Sequence, residues 1–207
     1  MTKLRSYGMM IIISSPSGAG KSSLSKALVA QDNNLYLSVS ATTRPPRPGE
    51  VDGEDYHFMS KNHFNELVSQ KAFLEYAEVF EYDYGTLASE VEDRLSNNID
   101  VIFDIDWQGA QELRSKRPKD IVSIYILPPS LDILKERLTK RCQDDKFTIN
   151  RRMARASEEI SHYDEYDYVI VNDDFDDALQ KLQSIITAER CKLERQDLVS
   201  NFTNKLL

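Results

Sequence analysis

Near the N-terminus the chain combines residue types that can grip a polyanion, in the run Ser15-Pro16-Ser17-Gly18-Ala19-Gly20-Lys21-Ser22. This is close to the pattern G-x-x-x-x-G-K-[ST]. In that pattern glycines let backbone N–H groups converge on phosphate oxygens, and a helix starting at the lysine turns its positive end toward them. Lys21 would reach the outer phosphates of a nucleotide, and the Ser22 hydroxyl would ligate Mg²⁺. Ser15 stands where the pattern has its first glycine, which costs little if its φ is negative. The apolar run Met9–Ile13 and the helical spacing of Leu24, Ala27 and Leu28 supply the strand before and the helix after that the pattern demands.

A second stretch also suits an anion. Arg44 and Arg47 sit three residues apart in Thr42-Thr43-Arg44-Pro45-Pro46-Arg47-Pro48-Gly49-Glu50. Proline prevents helix and lowers the entropy lost on ordering, and guanidinium forks match phosphate oxygens. An exposed Arg-Pro loop would look the same taken alone. Farther on, Tyr56, Tyr82 and Tyr84 offer hydroxyls, and Glu75 lies in the apolar run Phe73-Leu74-Glu75-Tyr76. A carboxylate there needs a partner, either a nearby arginine or a base presenting two N–H groups on one edge. Asp104 ends the apolar run Val101-Ile102-Phe103, where a Mg²⁺-organising carboxylate sits in phosphate-loop enzymes; a cap for the following turn is the bland alternative. Asp106 reads equally as a base-contacting or a loop-fixing residue.

These groups need a scaffold. The 207 residues allow one good-sized core or one core with small lobes, and 41% hydrophobic with 29% charged residues is ordinary for a soluble globular chain. Short apolar runs at Met9–Ile13, 101–103, Ile121–Leu127 and Tyr168–Val171 alternate with helical spacing at Leu131, Leu134 and Leu138 and at Leu179, Leu182, Ile185 and Ile186. That alternation predicts an α/β fold, a parallel sheet flanked by helices on both faces. Two segments interrupt it, 41–89 and 137–155, and read as lobes inserted into a core of 1–40, 90–136 and 156–207, all within one domain spanning 1–207. The net charge of −8 argues against a nucleic-acid partner. Cys142 and Cys191 read as reduced thiols, and Met9–Ile13 is too short for a signal core or a membrane span, so the expected location is cytoplasmic with no membrane partner. The segment 188–204 reads as a charged surface helix. Monomer and homo-oligomer both stay open.

On these residues the chain resembles the guanylate kinases over nearly its whole length. The phosphate loop is similar, and so are Ser40-Ala41-Thr42-Thr43-Arg44-Pro45-Pro46-Arg47-Pro48-Gly49-Glu50, Asp104-Ile105-Asp106-Trp107-Gln108-Gly109 and Val169-Ile170-Val171-Asn172-Asp173. The resemblance implies that ATP, with Mg²⁺, donates its terminal phosphoryl group to GMP. It implies that Arg44, Arg47, Tyr56 and Tyr84 hold the GMP phosphate, that Ser40, Glu75 and Thr86 read guanine, and that Glu50 and Asp106 belong to the same GMP-binding set. Segment 41–89 would be the GMP-binding lobe and 137–155 the lid. Arg137, Arg141 and Arg152 would surround the transferring group together with Lys21 and Arg47. Ser15 to Ser22 with Asn172 and Asp173 would contact ATP, and Ser22 and Asp104 would serve the metal. After Arg141 the family usually has Gly-Thr, whereas this chain has Cys142-Gln143; Arg152 keeps its place eleven residues after Arg141.

Two rival readings share some of these residues. A GTPase would explain Asp106-Trp107-Gln108-Gly109 as a D-x-x-G switch, but no Asn/Thr-Lys-x-Asp base-reading stretch accompanies it. A catalytically inert guanylate-kinase-like scaffold would have lost the loop, whereas Gly18, Gly20, Lys21 and Ser22 are intact.

Overall fold

The computed structural model of the protein describes residues 4–79, 81–118, 120–140 and 146–207. In chain order the first elements are β1 (Met10–Ser14), α1 (Lys21–Gln31) and β2 (Leu35–Leu37). An inserted lobe follows, with β3 (Ala41–Thr42), β4 (His57–Phe58), α2 (Lys61–Ser69), β5 (Phe73–Val79) and β6 (Tyr82–Leu87). The chain then returns through α3 (Ala88–Ser96), β7 (Asp100–Asp104), α4 (Trp107–Lys116), β8 (Ile121–Leu127), α5 (Leu131–Lys140), α6 (Lys146–Ser161), β9 (Tyr168–Val171), α7 (Phe175–Arg190) and α8 (Val199–Thr203).

The central sheet has five strands in the order β2-β7-β1-β8-β9, all parallel. Every residue of β1 is buried. Successive side chains on a strand point to opposite faces. Ile11 and Ile13 accordingly join one apolar cluster with Leu24, Leu28, Leu182 and Ile186, while Met10 and Ile12 join another with Val91, Phe103 and Leu113. Each face has its own helices, so Met10–Ile13 is a continuous apolar run and does not alternate. Burying one such side chain stabilises the fold by about 1.5–3 kcal/mol. β2 is a fifth strand beyond the four apolar runs; three residues with one fully buried give too little pattern to be recognised in sequence.

The lobe forms its own four-stranded sheet, β4-β3-β6-β5. Its β5–β6 and β3–β6 pairs are antiparallel, and β3–β4 is parallel. A small core of Ala41, Phe64 and Phe73 holds α2 on this sheet, with the Phe64 and Phe73 rings stacked at 4.6 Å. The Ser60 hydroxyl caps α2 by accepting from His63 N.

The segment 188–204 is not one helix. α7 ends at Arg190, a single turn of tighter helix covers Leu193–Arg195, and α8 begins at Val199. At this stop Arg190 turns its guanidinium inward, with Nε on Asp100 at 2.6 Å and Nη1 on Asp32 at 2.6 Å. Asp100 is fully buried and also accepts from Arg5 and from Met9 N, so one carboxylate ties the N-terminal segment, the sheet and α7 together. Among the described residues no helix is long and apolar enough to cross a membrane.

Candidate active site

The loop between β1 and α1 is built around left-handed glycines. Gly18 and Gly20 have φ of 95° and 100°, a region that favours glycine. A Cβ on Gly20 would also lie 2.3 Å from Asn172 Nδ2. Asn172 reaches under the loop from the end of β9, and its Nδ2 donates to Ala19 O at 2.7 Å. Ser15 lies outside the positive-φ set of Lys71, Glu81 and Asn98, so serine in the first position brings no strain. No side chain caps the N-terminus of α1 and its first turn carries no acid. Those N–H groups and the positive helix end therefore face the cavity. Lys21 Nζ bridges Asp104 Oδ1 at 2.6 Å and Ile105 O at 2.9 Å, which links the loop to the end of β7.

Opposite the loop lies the arginine segment. Arg44 is 8% exposed, and its Nη2 meets both oxygens of Glu50 at 2.8 and 2.9 Å. Its guanidinium lies 5.2 Å from the centre of the Tyr56 ring, and Tyr56 meets Tyr84 edge-on at 5.9 Å. Glu50 also accepts from Arg47 N at 2.7 Å, so one carboxylate orders both arginine positions. Desolvation pushes the Tyr56 hydroxyl up to about 12, so it keeps its proton and remains a donor.

Glu75 is the deepest charged group on this side. It is 2% exposed, and Thr86 Oγ1, its cross-strand partner, donates to Oε1 at 2.6 Å. Burial pushes Glu75 up to about 7 against the lowering effect of that hydrogen bond, with Asp106 and Glu112 adding repulsion. Gly109 leaves the room it needs, because a Cβ there would lie 2.5 Å from Glu75 Oε2. Asp106 caps α4 by accepting from Gly109 N at 3.0 Å, and it also lines the cavity. The D-x-x-G stretch is thus the first turn of a helix.

The third wall comes from α5 and α6. Arg137 Nη2 donates to Asn172 O at 3.0 Å, and its buried Nη1 has no partner among the described residues. Arg152 Nη1 donates to Ser17 Oγ at 2.7 Å, and Glu159 Oε2 accepts from Ser17 N at 3.1 Å. Burial raises the Glu159 carboxyl above the ordinary glutamate range, while Ser17 N–H, Lys21 and Arg152 pull it down. Arg141 and the Cys142-Gln143 pair lie outside the described residues.

These walls enclose one cavity of about 470 Å³. Of the residues expected from sequence, Ser15, Ser17, Gly18, Gly20, Lys21, Ser22, Ser40, Arg44, Arg47, Tyr56, Glu75, Tyr84, Asp104, Asp106, Arg137 and Arg152 line it. Pro16, Ala19, Glu50, Thr86, Asn172 and Asp173 do not. Glu50, Thr86 and Asn172 stand one layer behind, holding residues that do. Asp173 is exposed. Glu159 and Ser23 also line the cavity and were not singled out in sequence. Glu159 sits in an ordinary charged helical stretch with no local signal; only its seven-residue spacing from Arg152, two helical turns on one face, would have suggested a shared target.

A phosphate loop in a parallel five-stranded sheet, faced across one cavity by an arginine–tyrosine lobe, defines a P-loop α/β phosphotransferase architecture. The comparisons narrow the class. A family model described as guanylate kinase matches residues 7–189, and the chain belongs to the guanylate kinase family. It is 53% identical to a guanylate kinase of Maricaulis maris over 98% of this chain and 93% of that protein. It is 55% identical to one of Alkalilimnicola ehrlichii over 92% and 93% respectively. The crystal structure of guanylate kinase from Anaplasma phagocytophilum superposes with a TM-score of 0.79 at 36% identity, covering 93% of this chain and 91% of that one.

Proposed function

We propose that the protein transfers the terminal phosphoryl group of ATP to GMP, yielding ADP and GDP, with the ATP phosphates on the loop of Lys21 and GMP in the lobe of Arg44 and Glu75. The observation that carries this reading is the cavity itself: a cationic phosphate loop and a second anion-binding set face each other across it, with a buried carboxylate at the lobe end.

Two polyanions must be held side by side, and their repulsion must be offset. Lys21, Arg47, Arg137, Arg152 and Arg141 supply positive charge around the transferring group, and Arg44, Tyr56 and Tyr84 hold the acceptor phosphate. Phosphoryl transfer is catalysed mainly by positioning and electrostatic stabilisation. The acceptor oxygen needs no base, because the second pKa of a phosphate monoester is about 6. Glu75 accepts from guanine N1–H and N2–H, supported by Ser40 and Thr86. Adenine offers an unprotonated N1 at that edge and would leave the buried carboxylate unsatisfied. The segments 41–89 and 137–155 close over the two nucleotides and exclude water.

Ser22 and Asp104 fit Mg²⁺: a hydroxyl and a carboxylate line the same cavity beside the loop, and this ion takes few protein oxygens and completes its shell with phosphate and water. Among the described residues no group of three or more His, Cys, Asp or Glu is placed to hold a metal ion. When bound, Mg²⁺ neutralises charge on the transferring phosphates.

The test is a coupled assay of ADP release with GMP, AMP, UMP and CMP offered in turn. GMP should exceed each other acceptor by at least about a hundredfold in kcat/KM. Comparable rates with AMP would overturn the assignment of the base site.

A further inference from the structure

Four carboxylates line the cavity among the described residues: Glu75, Asp104, Asp106 and Glu159. The reaction above assigns Glu75 to guanine and Asp104 to the metal, and Asp106 caps α4. Glu159 has no such task. It sits against the phosphate loop, where a negative charge opposes any phosphate that arrives.

Its placement is specific. Oε2 accepts from Ser17 N at 3.1 Å, so it takes a backbone donor of the anion-binding loop. The same serine receives Arg152 on its hydroxyl at 2.7 Å. Arg152 and Glu159 lie on one face of α6, and both are directed to Ser17. The backbone of Glu159 is anchored as well, because Tyr125 OH on β8 donates to Glu159 O at 2.5 Å. The carboxylate is thus delivered from the fixed root of α6. Lys21 and Arg152 attract it, and Asp106 is the repelling group nearby.

We propose that Glu159 is a positioning residue that serves as a resident counter-anion of the phosphate loop. It holds Ser17 N–H and balances Lys21 and Arg152 in the free protein, and its charge then opposes the nucleotide phosphates, weakening ATP and ADP binding and speeding ADP release. This rests on the loop being the ATP phosphate site. Lys21, Arg44, Arg47, Arg137 and Arg152 line the cavity beside the four carboxylates, and a product held by the cations around the loop would leave slowly. One opposing carboxylate, tied to the lid helix, offsets part of their charge.

Calorimetric titration of the full chain with MgADP and with the magnesium complex of a non-hydrolysable ATP analogue tests this, using the parent, Glu159→Gln, Glu159→Asp and Lys21→Ala. Glutamine keeps an oxygen to accept from Ser17 N and removes the charge, with an amide NH2 in place of the second oxygen. Glu159→Gln should bind MgADP about tenfold more tightly, the size expected for one partly screened charge. The gain should be larger for the triphosphate analogue, and ADP dissociation in stopped flow should slow to match. Glu159→Asp keeps the charge and should show no gain. Parent-like or weaker binding by Glu159→Gln, with Lys21→Ala crippled, would overturn the proposal and leave the loop assignment standing; a matching gain in Glu159→Asp would also overturn it, as an effect of shape. Undiminished MgADP affinity in Lys21→Ala would sink the loop assignment and this proposal together.

Discussion

Replacing Glu75 by glutamine exchanges one oxygen for an amino group at a site 2% exposed to solvent. A carboxylate there can accept both edge N–H groups of guanine, and a hydrogen bond to a charged group contributes about 1.5–3 kcal/mol. Glutamine keeps one acceptor and sets a donor against the other guanine N–H. The expected loss is about 2–4 kcal/mol, or roughly 30- to 1,000-fold in kcat/KM for GMP. The KM for ATP should stay within about twofold, since Glu75 is placed at the other substrate's base. Stability should move the opposite way. Burial holds this carboxyl at about 7 against an ordinary 4.5. Between those values the folded protein keeps a proton that the unfolded chain has released, so stability falls as pH rises through the window. Above pH 7 the cost levels off at about 3 kcal/mol. Glutamine does not titrate and can still accept from Thr86. Glu75→Gln should therefore be more stable than the parent at pH 8 by up to about 3 kcal/mol, and the gain should vanish by about pH 4.5. The coupled ADP-release assay measures the first effect, and thermal melts at pH 8 and pH 5 measure the second. Equal losses for GMP and ATP would refute the base-reading argument. A variant less stable than the parent at pH 8 would refute the burial argument.

The same carboxyl gives a pH signature: KM for GMP should rise as pH falls below 7, beyond the change in GMP's own phosphate, and the excess should be absent in Glu75→Gln. Arg44→Lys loses the planar guanidinium, whose Nη2 meets both Glu50 oxygens and whose Nη1 meets Pro45 O, and its place over the Tyr56 ring; KM for GMP should rise about tenfold or more with ATP kinetics little changed. Lys21→Ala should lose nearly all turnover in the coupled assay while its far-UV circular dichroism stays that of the parent, because the lysine is only one of many contacts at the C-terminal ends of the central strands. Asp100→Asn weakens the single fully buried acceptor shared by Arg5, Arg190 and Met9 N. Breaking such a buried set costs about 3–5 kcal/mol, which thermal melting should register as a drop on the order of 10 °C.

Much of the site was legible in the sequence because its two anion-binding stretches are each contiguous. The glycines and Lys21 of the loop, and Arg44 and Arg47 between prolines, carry their geometry in neighbouring residues, so local backbone chemistry suffices to recognise them. The parallel sheet was legible for a related reason: strands covered on both faces carry continuous apolar runs, as Met10–Ile13 of β1, Val101–Phe103 of β7 and most of β8 do. The short β2 and the break after Arg190 were not legible. The first is too brief to show a period, and the second falls in a stretch, 188–204, with no proline or glycine to mark it.

By itself, then, the sequence determined the phosphate loop, the arginine segment and the layered α/β core, all of which follow from residues adjacent in the chain or from the period of one element. Tertiary structure alone decided which side chains meet. It put Glu75 opposite Thr86 with Gly109 making room, slid Asn172 beneath Ala19, and brought Arg152 and Glu159 onto Ser17 across 135 and 142 residues. The physical reason is the strand order. With β1 in the middle of the sheet, the ends of β7 and β9 and the helix that precedes β9 all converge on the loop after β1, and no periodicity within any one segment encodes that convergence.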